Sequence, residues 1–216
     1  MRGTISIVGQ DPYARRRRVP SQARSRDTVE AICAAAAAII EEEGLTALTT
    51  NGVATRAGVS ITAVYAYFPD KWAIVHELFE RFERLRVDYL AERFAAIVST
   101  TDWRSLMREA WDAMVRFRFE VPGGVPLRQA INATPRLRQL DLEGTERTVR
   151  DLTAAMLTRR PDLDPGTAYR VSWTATIAAG AILDDVCRTG AVDRAKLEEG
   201  MRLITDYLGP YLDPAP

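Results

Sequence analysis

Residues 44–72, GLTALTTNGVATRAGVSITAVYAYFPDKW, leave the backbone few choices. Ala54 and Ala57 are small enough for a second helix to cross close by. Gly58 supplies the left-handed conformation that ends a helix abruptly, and Val59 fills the inside of the corner. Thr49 or Thr50 can cap a first short helix and Ser60 the next, each through a side-chain oxygen that accepts from an orphan backbone N–H. Val64 and Phe68, four residues apart, pack inward, which leaves Tyr65 and Tyr67 pointing outward with hydroxyls at their tips. Pro69 stops the helix, Asp70 caps the one that follows, and Lys71 lies in its first turn. The expectation is two very short helices joined by a tight turn, the second polar and aromatic on its exposed side. That shape presents a helix to the major groove of DNA.

The stretch resembles the DNA-binding domain of the TetR family of bacterial one-component regulators. The family pattern is roughly T-x-x-x-I-A-x-x-A-G-V-S-x-G-T-L-Y-x-Y-F-x-x-K. Here it reads Thr49, Val53-Ala54, Ala57-Gly58-Val59-Ser60, Val64-Tyr65-Ala66-Tyr67-Phe68 and Lys71. The motif covers about residues 25–75, and the remainder matches only in length and helical character. The resemblance implies a helix-turn-helix head over residues 25–75 and a helical effector-binding and dimerisation domain over 76–216. It places Thr49, Thr50, Arg56, Ser60, Ile61, Thr62, Ala63, Tyr65, Tyr67 and Lys71 at double-stranded DNA, with a palindromic operator as partner. Thr62 stands where the family usually has Gly, Ala63 where it has Ser or Thr, and Ile61 where a polar or basic residue is common. Any base preference of relatives is therefore not transferable. Gly52 inside the first short helix weakens it by about 1 kcal/mol relative to Ala.

Formal net charge is zero over 216 residues, which is unusual for a DNA binder, but the charge is unevenly spread. Residues 1–75 hold nine Lys and Arg against seven Asp and Glu, and four of the nine are the arginines at 15–18. Residues 1–24, rich in Arg, Pro, Ser, Gln and Gly without periodicity, read as a flexible basic arm. It is either a solvated tail or an extra contact to phosphates or the minor groove. No apolar run is long enough to span a membrane, and MRGTISIVGQ lacks the apolar core of a signal peptide, so a cytoplasmic protein is expected. Cys33 and Cys187 sit inside helical patterns as small buried hydrophobes.

Apolar residues recur at helical spacing along the chain, with no sustained period of two. An all-α fold of about nine helices follows. The first helix begins near Ser25 or Asp27, with Asp27 and Glu30 as a capping pair, and ends at Gly44. After the two short helices a long one spans 71–98, with Leu78, Phe82, Leu85 and Tyr89 inward. Further helices are expected over 103–120, 126–133, 136–160, 166–189 and 193–212. The helix from Gly166 is apolar on two sides: Val171, Ala175, Ala178, Ile182 and Val186 on one, Tyr169, Trp173, Ile177, Gly180 and Leu183 on the other. One side can meet the core. A second copy of the chain is the simplest partner for the other, with Leu197, Met201, Ile204 and Leu208 of the last helix as companion stripe. A homodimer through the last two helices is expected.

An effector site is expected in the body. On the helix from Trp103 the apolar side carries Met107, Trp111, Met114 and, oddly, Arg118. Either Arg118 snorkels toward the helix C-terminus, or it holds an oxygen of a small organic effector in a pocket walled by Trp111 and Met114. Trp173 and Asp184 share one side of a later helix and are placed opposite. Asn132, Arg128 and Arg147 are further polar candidates. His76 is the single histidine, the cysteines are far apart, and neither G-x-S-x-G nor G-x-x-x-x-G-K-[ST] occurs. No metal, no cofactor and no catalytic residues are expected. Two functions stand: a ligand-responsive DNA-binding regulator, most simply a repressor, or a helical small-molecule-binding or scaffold protein without specific DNA readout.

Overall fold

The computed structural model describes residues 23–213, with side chains from Ser25. The arginines at 15–18, and nearly all of the expected arm, lie outside them. Among the described residues there are nine α-helices and no strand. They are α1 (Ala23–Glu43), α2 (Thr50–Ala57), α3 (Ile61–Tyr67), α4 (Lys71–Ile97), α5 (Trp103–Glu120), α6 (Gly124–Gln129), α7 (Pro135–Arg159), α8 (Pro165–Val186) and α9 (Arg194–Leu212). Tight turns at Leu45–Ala47 and Ala130–Ala133 complete the chain.

Side-chain caps set most of the starts. Asp70, Asp102, Thr134, Asp164 and Asp193 each accept a backbone N–H three residues on, and Pro135 and Pro165 open their helices, where a missing N–H costs nothing. The first helix departs from expectation. It is already helical at Ala23, so Asp27 and Glu30 sit inside it, and Glu30 instead binds Arg81 of α4 at 2.6 Å.

Two apolar clusters share α4. Ala73, Ile74, Val75, Leu78 and Phe79, from its first turns, pack with α1, α2 and α3, and Leu127, Ala130, Leu137 and Leu140 close that cluster from below. Leu90, Phe94 and Ile97, from its last turns, pack with α5, α7, α8 and α9. The buried stripe of α4 therefore runs through Phe79, Phe82, Val87, Leu90 and Phe94, and Leu85, expected to face inward, is 44% exposed. The 78–82–85–89 line keeps helical spacing but lies on another side of the helix: in its second half α4 turns Leu90, Phe94 and Ile97 into the body cluster, and the side bearing Leu85 is left to solvent. His76 is buried and its Nε2 meets Thr134 Oγ1 at 3.0 Å, joining α4 to the start of α7.

The far end of the body is tied by arginines. Arg159 donates to the carbonyls of Ile97, Thr100 and Leu212, each at 2.6 Å, satisfying the open C-terminal ends of α4 and α9 at once. Asp213 accepts from Trp103 Nε1 at 2.8 Å and from Arg104 at 2.6 Å. The bond to Arg104, then that to Trp103, lower its carboxyl to about 2 from an ordinary 3.8. The folded value lies below the unfolded one, so this contribution is complete above the ordinary value and is lost as pH falls toward 2. Asp213→Asn should flatten the dependence of the thermal midpoint on pH between about 4 and 2 while lowering it at neutral pH. Melting curves across that range check it, and an unchanged slope would show that Asp213 is idle.

No helix among the described residues is long and apolar enough to cross a membrane.

Candidate functional site

The corner between α2 and α3 is built by short-range chemistry. Thr49 Oγ1 accepts from the Gly52 N–H at 3.0 Å, and a methyl at Gly52 would come within 3.1 Å of that capping oxygen. The glycine that weakens the helix thus leaves room for its cap. Gly58 ends α2 with φ 66°, and Ser60 Oγ accepts from Ala63 N–H at 3.1 Å to start α3. Val53, Val64 and Phe68 are fully buried beneath.

The side of α3 open to solvent consists of Thr62, Tyr65 and Ala66, with Tyr65 45% exposed. Tyr67 was expected to point outward as well, but it is half-buried and packs on the head cluster. Three residues past Val64, it follows the buried stripe. Ile61 likewise packs on that cluster, and Ala63 is half-buried. Ala66 was not singled out by sequence, although it lies four residues after Thr62 and hence on the same side. Thr50 Oγ1 and the Tyr65 hydroxyl meet at 3.1 Å, bridging α2 and α3. The Arg56 guanidinium is bound by both carboxylate oxygens of Glu42 in α1, and that bond holds the Glu42 carboxyl below its ordinary range. Lys71 Nζ lies 5.5 Å from the centre of the Trp72 ring.

A cavity lies in the body between α4, α5, α7, α8 and α9. Leu90, Phe94, Met107, Trp111, Met114 and Leu208 are among its apolar walls, with Arg86, Arg118, Arg128, Asp141 and Thr148 at its polar end. That end is an ion cluster drawn from five helices. Arg128 Nη1 donates to Glu83 at 3.1 Å and to Asp141 at 2.6 Å, while its Nη2 donates to Asp184 at 2.8 Å. Arg118 Nη2 donates to the same Asp184 at 2.6 Å, and Arg86 Nη2 to Glu83 at 2.6 Å. Gly144 of α7 allows the approach, since a methyl there would overlap Glu83 Oε2. Burial alone would raise the Asp184 carboxyl, but its bonds to Arg128 and Arg118 prevail and hold it below the ordinary range. Burial pulls the Arg118 guanidinium down, against the attraction of Asp184.

Of the residues singled out for an effector, Trp111, Met114 and Arg118 meet at this cavity, and Asp184 pairs with Arg118 just behind it. Arg118 does not snorkel: it is 3% exposed and its Nη1 donates to the Met114 carbonyl at 2.8 Å. Trp173 is not among the lining residues. It is 49% exposed and lies with Leu142, Tyr169 and Ile177 in a groove between α7 and α8 that also includes Arg147. Asn132 accepts from Arg138 at 3.0 Å near the surface, away from the cavity. Glu83, Arg86 and Asp141 went unread in the sequence. Glu83 in the buried stripe of α4 carries the same signal as Arg118, a charge within an apolar helical side.

The second side of α8 is open as expected, with Tyr169, Trp173 and Ile177 exposed, but Leu183 is buried. The companion stripe on α9 needs correction. Leu197, Met201, Ile204 and Leu208 are all buried within the chain's own core, and the apolar residues α9 leaves exposed are Leu203 and Tyr207. Close packing of α9 on α8 and α5 consumes the first stripe: a methyl at Gly200 would lie 2.5 Å from Ile182 and 3.1 Å from Trp111.

Two family profiles match. One, described as bacterial regulatory proteins of the tetR family, covers residues 32–78, and the other, described as a tetracyclin repressor-like C-terminal domain, covers 102–208. A search of curated proteins found no match. Among solved structures, a TetR-family transcriptional regulator from Streptomyces coelicolor is 27% identical. The match spans 88% of this chain and 100% of that one, with a TM-score of 0.66. A TetR-family regulator from Mesorhizobium loti is 19% identical over 88% and 99% of the two chains, with a TM-score of 0.69. SmeT, solved as a triclosan complex, is 18% identical over 88% and 98%, with a TM-score of 0.64.

Proposed function

Since the chain belongs to the TetR family of bacterial transcriptional regulators, we propose that it is a dimeric repressor released from a twofold operator by a small organic effector. The observation that carries this reading is the sharing of α4. Its first turns are part of the head cluster, and Arg86, Leu90 and Phe94 further along line the cavity. A molecule that fits the cavity better in one position of α4 than in another shifts the head by that difference in affinity. In a dimer the two copies of α3 must stand about 34–36 Å apart to enter successive major grooves, so a change of α4 changes operator affinity. SmeT, a protein of the same fold solved with triclosan, is consistent with an organic effector.

In this reading residues 25–75 read DNA, and the rest of the chain binds the effector and dimerises. Thr62, Tyr65 and Ala66 face the bases. Thr49, Thr50, Ser60, Tyr67 and Lys71 line the backbone, and Arg56 approaches phosphate only at the expense of its bond to Glu42. The exposed apolar residues of α8 and α9 form the contact between subunits. The fold contributes binding and movement, and no chemistry is assigned to it.

The test is fluorescence anisotropy on the DNA upstream of the gene and on unrelated DNA at several salt concentrations. The wild type should prefer the former. Lys71→Ala should weaken both about equally and lower the salt slope by roughly one unit, the signature of one lost phosphate contact. Equal affinity of the wild type for the two DNAs would contradict the operator reading. An unchanged slope for Lys71→Ala would remove Lys71 from the interface.

A further inference from the structure

The excess positive charge of this chain is concentrated in residues 1–22. They hold five arginines, four of them the run Arg15–Arg18, against Asp11 alone. Residues 23–216 hold 24 Lys and Arg against 28 Asp and Glu, so the remainder is net negative. The head shares this deficit: residues 23–75 carry four Lys and Arg against six Asp and Glu. One of those four, Arg56, is held by both carboxylate oxygens of Glu42. The open side of α3, formed by Thr62, Tyr65 and Ala66, carries no charge. Proteins bind DNA largely through Lys and Arg that replace the counterions condensed on its phosphates. A net-negative head with an uncharged reading helix does not supply that term, so it falls to the arginine run.

The run is also tethered in the right place. It lies five to eight residues before Ala23, where α1 begins, and α1 packs with α3 in the head cluster from Val29 onward. At no more than about 3.5 Å per residue, the chain limits Arg18 to roughly 17 Å and Arg15 to roughly 28 Å from the start of α1. That reach approaches the length of α1 itself, about 30 Å.

We propose that Arg15–Arg18 form a second DNA contact, made to backbone phosphates flanking the groove that α3 enters. The run supplies most of the salt-dependent affinity, and base choice is left to α3. The proposal rests on the reading of the chain as a DNA-binding regulator and adds the source of its electrostatic attraction.

The test uses the full chain with Arg15→Gln, Arg16→Gln, Arg17→Gln and Arg18→Gln together, and a second variant with the same four replaced by Lys. Anisotropy is measured on labelled upstream DNA and on an unrelated duplex over a range of salt concentrations. The glutamine variant should keep the wild-type thermal midpoint, because the apolar packing of the head begins at Val29. It should lose two or more units of salt slope and bind both duplexes about 10²-fold more weakly near 0.1 M salt. Its preference for upstream DNA should stay within about threefold of the wild type, since phosphates carry no sequence information. The lysine variant should retain most of the slope. A slope loss under two units, tighter binding, a loss confined to the upstream duplex, or an equal loss with lysines would each overturn the phosphate contact. A wild type without preference for upstream DNA, whose slope still falls with the glutamines, would end the operator reading and leave this contact standing. A wild type that binds neither duplex would end both.

Discussion

Arg128→Met should lower folding stability by about 3–5 kcal/mol, the cost of breaking a buried ion pair from one side. Arg128 is the hub of the cluster. Among the described residues it alone pairs with Asp141, and it also joins Glu83 of α4 to Asp184 of α8. Arg86 and Arg118 remain as partners of Glu83 and Asp184 when it is removed, but Asp141 loses the cation it holds at 2.6 Å. Methionine fills most of the side-chain volume, so the loss reports charge rather than a cavity. Urea titration should show a lower midpoint at an unchanged slope. The pair Arg128→Met with Asp141→Leu should recover part of the loss, because it removes the stranded carboxylate. A loss under about 1 kcal/mol would mean that water reaches these carboxylates and that the cluster behaves as a surface network.

Trp173→Asp with Ile177→Asp should leave the chain monomeric and weaken operator binding by roughly 10²–10⁴-fold, the gain that linking two half-site readers supplies. Both residues are more than 40% exposed in the single chain, so the change strains nothing within it. Carboxylates there would be buried without partners in a subunit contact. Ile182 and Ala178 are poorer positions for this test: both are packed against the chain's own core, and a charge there would damage the fold. Sedimentation and anisotropy on the same sample check the prediction. A double variant that still sediments as a dimer would move the subunit contact elsewhere, and a monomeric wild type at micromolar concentration would end the dimer reading.

The head was legible because its determinants are local. Thr49, Gly58, Ser60 and Asp70 act within three or four residues of themselves, and each does what its type and position suggest. The misreadings there come from rotation: Tyr67 lies on the same side as Val64 and Phe68, a relation that alternation of outward tyrosines obscures. The body was legible as helices and less so as a site. Arg118 stood out as a charge on an apolar side, but the partner that explains it, Asp184, lies 66 residues away on another helix. Trp173 illustrates the converse limit. An aromatic on an apolar stripe looks the same whether the stripe faces a core, a cavity or solvent, and only the packing of α7 on α8 shows which. The stripe of α9 failed likewise, since Leu197, Met201, Ile204 and Leu208 are consumed by the chain's own interior.

The three carbonyls held by Arg159 fix where α4 can pivot. Ile97 O and Thr100 O are pinned to the same guanidinium as Leu212 O, so the end of α4 and the end of α9 behave as one anchored joint. On the repressor reading proposed above, in which α4 swings about this joint, the residues upstream act as a lever arm. At 1.5 Å per residue, Leu90 stands roughly 10 Å from that joint and Lys71 roughly 40 Å. A displacement imposed beside the cavity is therefore magnified about fourfold where the helix meets the head. In that proposed response a sub-ångström adjustment beside the cavity would become a movement of ångströms at α3, and a helix hinged at its middle would lose that leverage.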